Sequence, residues 1–218
     1  ISISETDPSL FLAGAQDNGT HRQMGQNWEH VFGGDGMDNA INPNNNLTMF
    51  ASSQNGNFGR SFNGGYSFSY MGSLPAQGTG NWVTPIELDP VTPSTVYIGY
   101  SKLWKSTNNG STWSSTSQNF PTGNIDVFAI APSNTQIIYA AINNDFYRST
   151  NGGASWTALQ ISGTSSITGI TVSNVNANQV WVSRSGYGNG SKVFESTNGG
   201  TTWTNISGSL PSLPANCI

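Results

Sequence analysis

Short apolar runs alternate with polar turns along the whole chain, and no stretch places apolar residues at the 3.6-residue spacing of an amphipathic helix. Alternating runs such as Ile86-Glu-Leu88 and Phe128-Ala-Ile130 are each followed by a proline- or asparagine-containing turn and a second apolar run. The second run carries an aromatic residue at five positions: Phe11, Phe50, Tyr97, Tyr139 and Trp181. This pattern predicts short β-strands joined by tight turns.

A polar box, Ser-x-Asn-x-Gly-x-(Ser/Thr)-Trp, recurs in phase with these runs. It occurs at Ser106–Trp113, Ser149–Trp156 and Ser196–Trp203, and Ser61–Phe68 is a fourth copy that ends in Phe. A fifth copy, His21–Trp28, keeps only the central Gly25 and the closing Trp28. The closing aromatics fall at 28, 68, 113, 156 and 203, so the period is 40 to 47 residues. Such a period is typical of propeller blades.

The two repeats together predict an all-β fold, a β-propeller of four-stranded antiparallel blades with about five blades in this chain. The predicted units span residues 1–32, 33–73, 82–118, 124–162 and 166–209, and 215–218 would begin a further blade. The first and last residues fall where the first strand of a unit is expected. We therefore expect the chain to be part of a larger propeller.

Each box is expected to close a hairpin. The Asn side chain accepts hydrogen bonds from nearby backbone N–H groups, Gly supplies a positive φ, and the closing Trp is expected to be buried between neighbouring sheets. The alternative, a ligand site made of the Ser and Asn side chains, is disfavoured because the box repeats in nearly every unit. The residues assigned this structural role are Ser61, Asn63, Gly65, Ser106, Asn108, Gly110, Trp113, Ser149, Asn151, Gly153, Trp156, Ser196, Asn198, Gly200 and Trp203.

Composition narrows the class of protein. Only 8% of the residues are charged, but seven Trp, seven Tyr and ten Phe placed in register argue against disorder. The net charge of −4 and the seven basic residues disfavour a nucleic-acid partner, because phosphate binding needs clustered Lys and Arg. Cys217 is the single cysteine, so the chain contains no internal disulfide. Low charge with abundant Asn, Gly and aromatic residues predicts a secreted or bacterial cell-surface protein.

Membrane spans, metals and cofactors are not expected from the sequence. No apolar run approaches the roughly 20 residues that a spanning helix needs. His21 and His30 are isolated, and Asp35-x-x-Asp38 lacks the oxygen-rich pattern of a calcium loop. We therefore predict no metal site and no cofactor.

The boxes resemble the Asp-box, or BNR, repeats of sialidases, sortilin-type receptors and xyloglucanase-like glycoside hydrolases. The fuller pattern (AGAQDNGT at 13–20, GGDG at 33–36 and SQNGNFGRSFNGG at 53–65) is similar to secreted Asp-box propellers of Bacteroidetes-type bacteria. This chain carries Asn where the family name calls for Asp. The resemblance covers essentially the whole chain and implies a β-propeller, but a fold does not by itself imply a function.

Propeller connectivity predicts where a ligand binds. The boxes and the turns between first and second strands share one face, whereas the turns between second and third strands and the connections between blades share the other. Amide side chains and exposed aromatics on the second face suit sugar hydroxyls and pyranose faces. The alternative is that its Asn-Gly and Asp-Gly pairs only form tight hairpins. The predicted ligand-binding residues are Asp38, Gln54, Asn55, Trp82, Tyr100 and Tyr187.

Asp17 and Asp35 are the candidate catalytic residues. In xyloglucanase-like enzymes a catalytic Asp follows the second strand of an early blade, and QDNGTHR at 16–22 is similar, although His21 replaces an aromatic. Asp35, or Asp38, is the candidate for the second carboxylate that a glycosidase requires. A sialidase is disfavoured, because it needs three converging arginines and only Arg22, Arg60, Arg148 and Arg184 are present.

The function predicted from the sequence is a non-catalytic secreted or cell-surface propeller module. It would bind a glycan or protein ligand as an adhesin or scaffold, together with the remainder of its own longer chain. The alternative is a glycoside hydrolase of the xyloglucanase-like type that acts on polysaccharide.

Overall fold

The structure is a computed structural model, and it describes residues 1–218 except 73, 75–78, 117–119, 188 and 189. Residues 73 and 118, predicted to end the second and third units, lie outside the described residues. The strands are β1 Ser2–Ile3, β2 Phe11–Ala15, β3 Gly19–Met24, β4 Asn27–Phe32, β5 Gly36–Ile41, β6 Met49–Ser53, β7 Asn57–Ser61, β8 Ser69–Gly72, β9 Ile86–Leu88, β10 Val96–Gly99, β11 Leu103–Ser106, β12 Ser114–Ser115, β13 Val127–Ile130, β14 Ile138–Ile142, β15 Asp145–Ser149, β16 Thr157–Leu159, β17 Ile167–Val172, β18 Val180–Arg184, β19 Val193–Ser196 and β20 Thr204–Asn205.

Consecutive strands pair into five four-stranded sheets, β1–β4, β5–β8, β9–β12, β13–β16 and β17–β20, which we number blades 1 to 5. Every pairing within them is antiparallel. A short 3₁₀ turn at Gln54–Gly56 is the sole helical element among the described residues. The predicted all-β fold of four-stranded antiparallel blades is therefore confirmed.

The chain divides into two compact units. Blades 1 to 3 form the first, Ile1–Ser115, and blades 4 and 5 form the second, Thr116–Ile218. In the first unit, Leu12 and Met49 belong to a core cluster shared by blades 1 and 2, and Phe58 and Ile98 to one shared by blades 2 and 3. In the second, the cluster around Phe146 is shared by blades 4 and 5. Each sheet buries its faces against its neighbour within the unit, as stacked repeats must.

The four full boxes close in the same way. The box serine oxygen accepts the N–H of the fifth-position glycine at 2.8–2.9 Å and donates to the box asparagine oxygen at 2.8–2.9 Å. The asparagine oxygen also accepts the N–H of the seventh residue, as from Thr112 to Asn108 at 2.9 Å. The glycines, such as Gly110 with φ 74°, have positive φ angles. These side chains satisfy one another and the hairpin backbone.

The closing tryptophans pack against aromatic rings outside their own boxes. Trp113 packs edge-on against Phe58 of the preceding blade with ring centroids 5.6 Å apart, and Trp203 packs against Phe146 in the same way at 5.1 Å. Trp156 packs on Phe120, in the connection that precedes its blade, with ring centroids 5.1 Å apart. All three tryptophans are mostly buried, although none is fully enclosed. The structure therefore agrees with the expectation that the closing tryptophans are largely buried.

Blade 1 departs from the box pattern. Met24 pairs with Asn27, so a two-residue turn, Gly25-Gln26, replaces the longer box hairpin. The strand register also differs from the sequence interpretation, because Leu12 pairs with Arg22 just as Phe50 pairs with Arg60 in blade 2. The position equivalent to Phe50 is thus Leu12 rather than Phe11. The segment His21–Trp28 is accordingly not a fifth box.

An arginine on the third strand links one blade to the box of the next. Arg60 of blade 2 donates to the Asn109 carbonyl at 2.9 Å, and Arg148 of blade 4 reaches the Gly199 carbonyl at 3.5 Å. Arg22 of blade 1 donates through Nε to the Gly64 carbonyl. The three acceptors occupy the fourth position of their boxes. Boxes therefore anchor blade-to-blade contacts as well as their own hairpins.

Candidate functional site

Within each unit the loops divide between the two ends of the blades. At one end, each box is tied to the turn between the first and second strands of its own blade, as by the Asn109 N–H to the Ser94 carbonyl at 2.8 Å and Gly199 to Asn178 at 2.7 Å. We call this the box end. The turns between second and third strands and the connections between blades lie at the other, which we call the turn end.

Three predicted site residues meet at the turn end of blades 1 and 2. The Asp17 N–H donates to Oδ1 of Asp35 at 2.7 Å, and the Asp35 N–H donates to Oε1 of Gln54 at 2.8 Å. Asp17 is exposed and Asp35 is half-buried. The structure thus brings together Asp17, Asp35 and Gln54 from three separate loops, with the contact to Asp17 made through its backbone N–H.

The backbone conformation of Asp17 indicates that this residue has a structural role in the turn between β2 and β3. Its φ is 62°, and Asn55 and Asn143, in the equivalent turns of blades 2 and 4, have φ values of 63° and 55°. Asp and Asn tolerate this left-handed conformation better than other residues with side chains. The Oδ1 atom of Asp35 also accepts a hydrogen bond from the backbone of this turn. Both residues thus have a structural task whether or not they also act on a ligand.

Asp38 lies apart from this group. Its two carboxylate oxygens accept the N–H groups of Asn39 and Ile86, each at 2.9 Å, so the side chain links β5 to β9. Burial raises the pKa of the Asp38 carboxyl, although these hydrogen bonds oppose the shift. The carboxylate therefore has a structural role between β5 and β9, and its contact with a ligand stays a prediction.

Glu87 is a neighbouring carboxyl that the sequence interpretation missed. It lies with Asp38 in a cleft of about 400 Å³ lined by residues of β1, β5 and β9, where the side chain still contacts solvent. The cleft walls displace bulk water and Asp38 adds a like charge, and together these raise the pKa of Glu87 to about 8. Only its alternation with Ile86 and Leu88 on a strand could have marked this position.

Tyr100 does not face a ligand. The side chain is fully buried, its hydroxyl donates to the Gly56 carbonyl at 2.6 Å, and burial raises its pKa to about 12. A Cβ on Gly56 would lie 2.6 Å from the Tyr100 ring, so glycine is needed for this contact. The prediction of an exposed aromatic is wrong, because Tyr100 belongs to the core shared by blades 2 and 3.

Trp82 and Tyr187 are both exposed, but they belong to different units. The segment that carries Trp82 is held near the turn of blade 2, since the Gly80 N–H donates to the Asn55 carbonyl at 3.0 Å. Tyr187 follows the second strand of blade 5. Each remains a predicted ligand contact within its own unit.

A cleft of about 530 Å³ opens at the turn end between blades 1 and 2. Tyr70 of β8 lies at its rim with 66% of its surface exposed, and its ring stacks on Phe32 with centroids 6.3 Å apart and planes at 26°. The Tyr70 hydroxyl donates to Oδ1 of Asn57 at 2.8 Å, and the Asn57 amide donates to the Gln54 carbonyl at 3.0 Å. The residues that line the cleft are Val31, Phe32, Gly33, Gly34, Ser53, Gln54, Asn57, Phe68 and Tyr70.

The cleft combines an oriented aromatic face with uncharged polar groups. None of its nine lining residues carries a charge. Phe32 lies flat beneath Tyr70 because Gly59 leaves it room; a Cβ there would lie 2.5 Å from the ring. Gln54 is one of the predicted ligand contacts, whereas Tyr70 is not, because the prediction was confined to loops and Tyr70 stands on β8. An aromatic alternating with Phe68 at the end of a unit was the available signal.

Among the described residues, no group of three or more His, Cys, Asp or Glu side chains could hold a metal ion. The His21 and His30 rings meet edge-on at 5.5 Å, without acidic neighbours that complete a ligand set. No helix in the described ranges is long and apolar enough to cross a membrane.

Comparison with known proteins extends the description of the fold. No protein-family model matches the sequence, and no curated protein matches it. Among solved structures, the chain is similar to the GH74 xyloglucanase from Xanthomonas campestris (TM-score 0.73, 16% identity, 94% of this chain and 37% of that one). It is also similar to an ancestral GH74 enzyme (TM-score 0.70, 18% identity, 94% and 30%) and to YCF48 bound to D1 peptide (TM-score 0.55, 12% identity, 92% and 57%).

These similarities bear on architecture alone, because identities below 20% do not carry a function across. The chain spans about a third of the length of these two GH74 structures. All three relatives match over more than nine-tenths of this chain. With its five antiparallel four-stranded sheets, the chain therefore has the blade architecture of a β-propeller.

Proposed function

We propose that this chain is a non-catalytic propeller module of a secreted or cell-surface protein and binds a neutral glycan in the cleft beside Tyr70. The observation that carries the proposal is the exposed Tyr70 ring, held on Phe32 and anchored by its hydroxyl to Asn57. A ring fixed in this way presents a flat apolar face at little entropic cost, since its orientation is already set before a ligand arrives.

The polar groups around the Tyr70 ring are suited to bind the hydroxyl groups of a sugar. The side chains of Ser53, Gln54 and Asn57 line the same cleft and offer both donors and acceptors. A pyranose has one apolar face and a rim of hydroxyls, and it matches an aromatic face bordered by amides. The absence of charge among the lining residues favours a neutral sugar over an acidic one.

The test is a calorimetric or NMR titration with neutral oligosaccharides, for which xyloglucan and cellulose fragments are suitable first probes. We expect binding that Tyr70→Ala weakens at least tenfold. Tyr66→Ala is the matched control, because Tyr66 lies on the same blade at the box end with a similar exposure of 62%. Equal affinities for the two variants would contradict the proposal.

Glycoside hydrolysis is the second candidate, favoured by the pair Asp17 and Asp35 at the turn end. Asp17 is exposed, and Asp35 lies one hydrogen bond from its backbone. If the chain is an enzyme, Asp17→Asn should abolish the release of reducing sugar without unfolding the protein, because Asn adopts the same left-handed turn at Asn55. If it is a binding module, the wild type releases no reducing sugar from a polysaccharide that it binds.

A further inference from the structure

Arg22 differs from the other two arginines that link a blade to the next box. Arg60 uses Nη1 to reach both the Asn109 carbonyl and the Ser111 hydroxyl, and Arg148 uses both terminal nitrogens. Arg22 instead donates to its box carbonyl, that of Gly64, through Nε. The residue at the position of Ser111 in this box is Tyr66, whose ring lies 4.2 Å from the Arg22 guanidinium carbon. The link is therefore made without either terminal nitrogen.

Arg22 is largely buried, and no carboxylate among the described residues contacts its guanidinium. Only 9% of the residue is exposed. Among the described residues, no side chain or carbonyl accepts a hydrogen bond from its terminal nitrogens, and no carboxylate forms an ion pair with it. Removing a cation from water is costly unless an anion or several acceptors replace the solvent. The Gly64 carbonyl and the Tyr66 ring supply part of that replacement, and the two terminal nitrogens, which are not enclosed, are left to solvent or a ligand.

Arg22 lines a box-end pocket of about 340 Å³. Its other lining residues are Asp7, Ser9, Leu10, Gln23, Gly25 and Tyr66. The Asp7 Oδ1 atom accepts both the N–H and the hydroxyl of Ser9, at 3.0 and 2.6 Å, which leaves Oδ2 as a further acceptor. These hydrogen bonds, aided by the charge of Arg22, lower the pKa of the Asp7 carboxyl, so it stays ionised. The pocket thus presents a cation on one side and an acceptor on the other.

The pairing of a cation, Arg22, with an ionised acceptor, Asp7, restricts which chemical groups a ligand of this pocket can carry. A simple anion such as sulfate would satisfy Arg22 but would be repelled by Asp7. A ligand that carries one carboxylate and several hydroxyls can place the carboxylate on Arg22 and donate hydroxyls to Asp7 and to the Gln23 oxygen. The exposed Tyr66 ring, already stacked on the guanidinium, provides a flat apolar border for a sugar ring.

We propose that the pocket formed by Arg22, Asp7 and Tyr66 binds an acidic sugar, with the carboxylate of a hexuronic acid on the terminal nitrogens of Arg22. This site lies at the box end of blades 1 and 2 and does not depend on the Tyr70 cleft at the turn end. The chain therefore has two glycan contacts of opposite character, one neutral and one acidic.

The test is an NMR titration of the full chain with glucuronic acid, with glucose and glycine as separate comparison probes. We expect glucuronic acid to shift the signals of Arg22 and Gln23 and to bind at least tenfold more tightly than glucose. Binding of glucuronic acid no tighter than that of glucose would overturn the proposal. Preference for glycine would overturn the assignment of a sugar, since an amino acid also pairs a carboxylate with a group that binds Asp7.

Variants separate binding from the linking role of Arg22. Arg22→Gln should weaken glucuronic acid binding at least tenfold, whereas Arg60→Gln, at the equivalent link of blade 2, should leave it unchanged. Because Arg22→Gln also removes a blade contact, Tyr66→Ala provides a second test on an exposed residue. It should weaken glucuronic acid binding and leave the binding of neutral glycans unchanged. Retained affinity for glucuronic acid in Tyr66→Ala, or in a folded Arg22→Gln protein, would contradict the proposed site.

Discussion

The Arg60 guanidinium donates a hydrogen bond to the main-chain carbonyl of Asn109 across 2.9 Å, although 49 residues separate the two in sequence. The same nitrogen also reaches the Ser111 hydroxyl at 2.9 Å. Both acceptors belong to the box of blade 3, while Arg60 stands on the third strand of blade 2. The box is therefore the acceptor of a contact that joins successive blades, which gives it a structural role beyond its own hairpin.

Loss of this contact should weaken the first unit. A hydrogen bond from a charged donor typically contributes about 1.5–3 kcal/mol, and less where solvent reaches it. Arg60 is half-buried, so we expect Arg60→Ala to lower the free energy of unfolding by about 1–2 kcal/mol in urea denaturation. Arg60→Lys keeps the charge but loses the planar guanidinium, and it should recover only part of the loss. Full recovery by Lys would show that charge alone accounts for the stabilisation.

The box serine should be more sensitive than its small size suggests. The buried Ser106 oxygen accepts the Gly110 N–H at 2.8 Å and donates to Asn108 at 2.9 Å. Ser106→Ala leaves a buried N–H without a partner, which costs about 1–3 kcal/mol. Thermal or urea unfolding should show this loss, with Ser114→Ala, at an exposed position on β12, as the control. A Ser106→Ala protein as stable as the control would show that the box hydrogen bonds do not stabilise the fold.

The stability of the first unit should also depend on the ionisation of Glu87. Folding raises the pKa of this carboxyl from 4.5 to about 8, so the folded chain binds more protons than the unfolded chain between those values. Its contribution is fully present below pH 4.5 and is lost as the pH rises towards 8. Glu87→Gln should therefore be more stable than the wild type at pH 8, with this gain shrinking towards pH 4. A stability difference between Glu87→Gln and the wild type that stays constant from pH 4 to pH 8 would contradict this role of Glu87.

The structural features that could be predicted from the sequence are those formed by residues close together in the chain. The box hairpins around Asn108 and Asn198 close through contacts within eight residues, so their spacing was sufficient to place them. Blade 1 was misread because its β3–β4 hairpin is shortened to Gly25-Gln26. Counting back from Trp28 therefore pointed to Phe11, whereas Leu12 is the residue that pairs with Arg22. The spacing of residues within one blade does not show which residues of two strands pair, so the partner of Arg22 could not be read from the sequence.

Contacts between neighbouring blades decide which aromatic side chains of the candidate site are exposed to solvent. Tyr100 was expected to face a ligand, but the space beneath Gly56 accommodates its ring and the Gly56 carbonyl accepts its hydroxyl hydrogen. Tyr70 was overlooked, yet it lies on the outer strand of blade 2 and stacks on Phe32 of blade 1. In both cases the neighbouring sheet decides which face of the aromatic remains free, and the sequence of one blade does not specify that neighbour.

The measurement that tests the central claim most directly is the affinity of the wild type, Tyr70→Ala and Tyr66→Ala for one neutral oligosaccharide by isothermal titration calorimetry. Wild type and Tyr66→Ala should bind with equal affinity, and Tyr70→Ala should bind at least tenfold more weakly, a loss of about 1.4 kcal/mol. Both variants should stay folded and lose no more than about 1.5 kcal/mol of unfolding free energy, since each largely exposed ring gives up one ring contact. A neutral glycan that binds Tyr70→Ala as tightly as the wild type would contradict the assignment of the cleft and the function built on it.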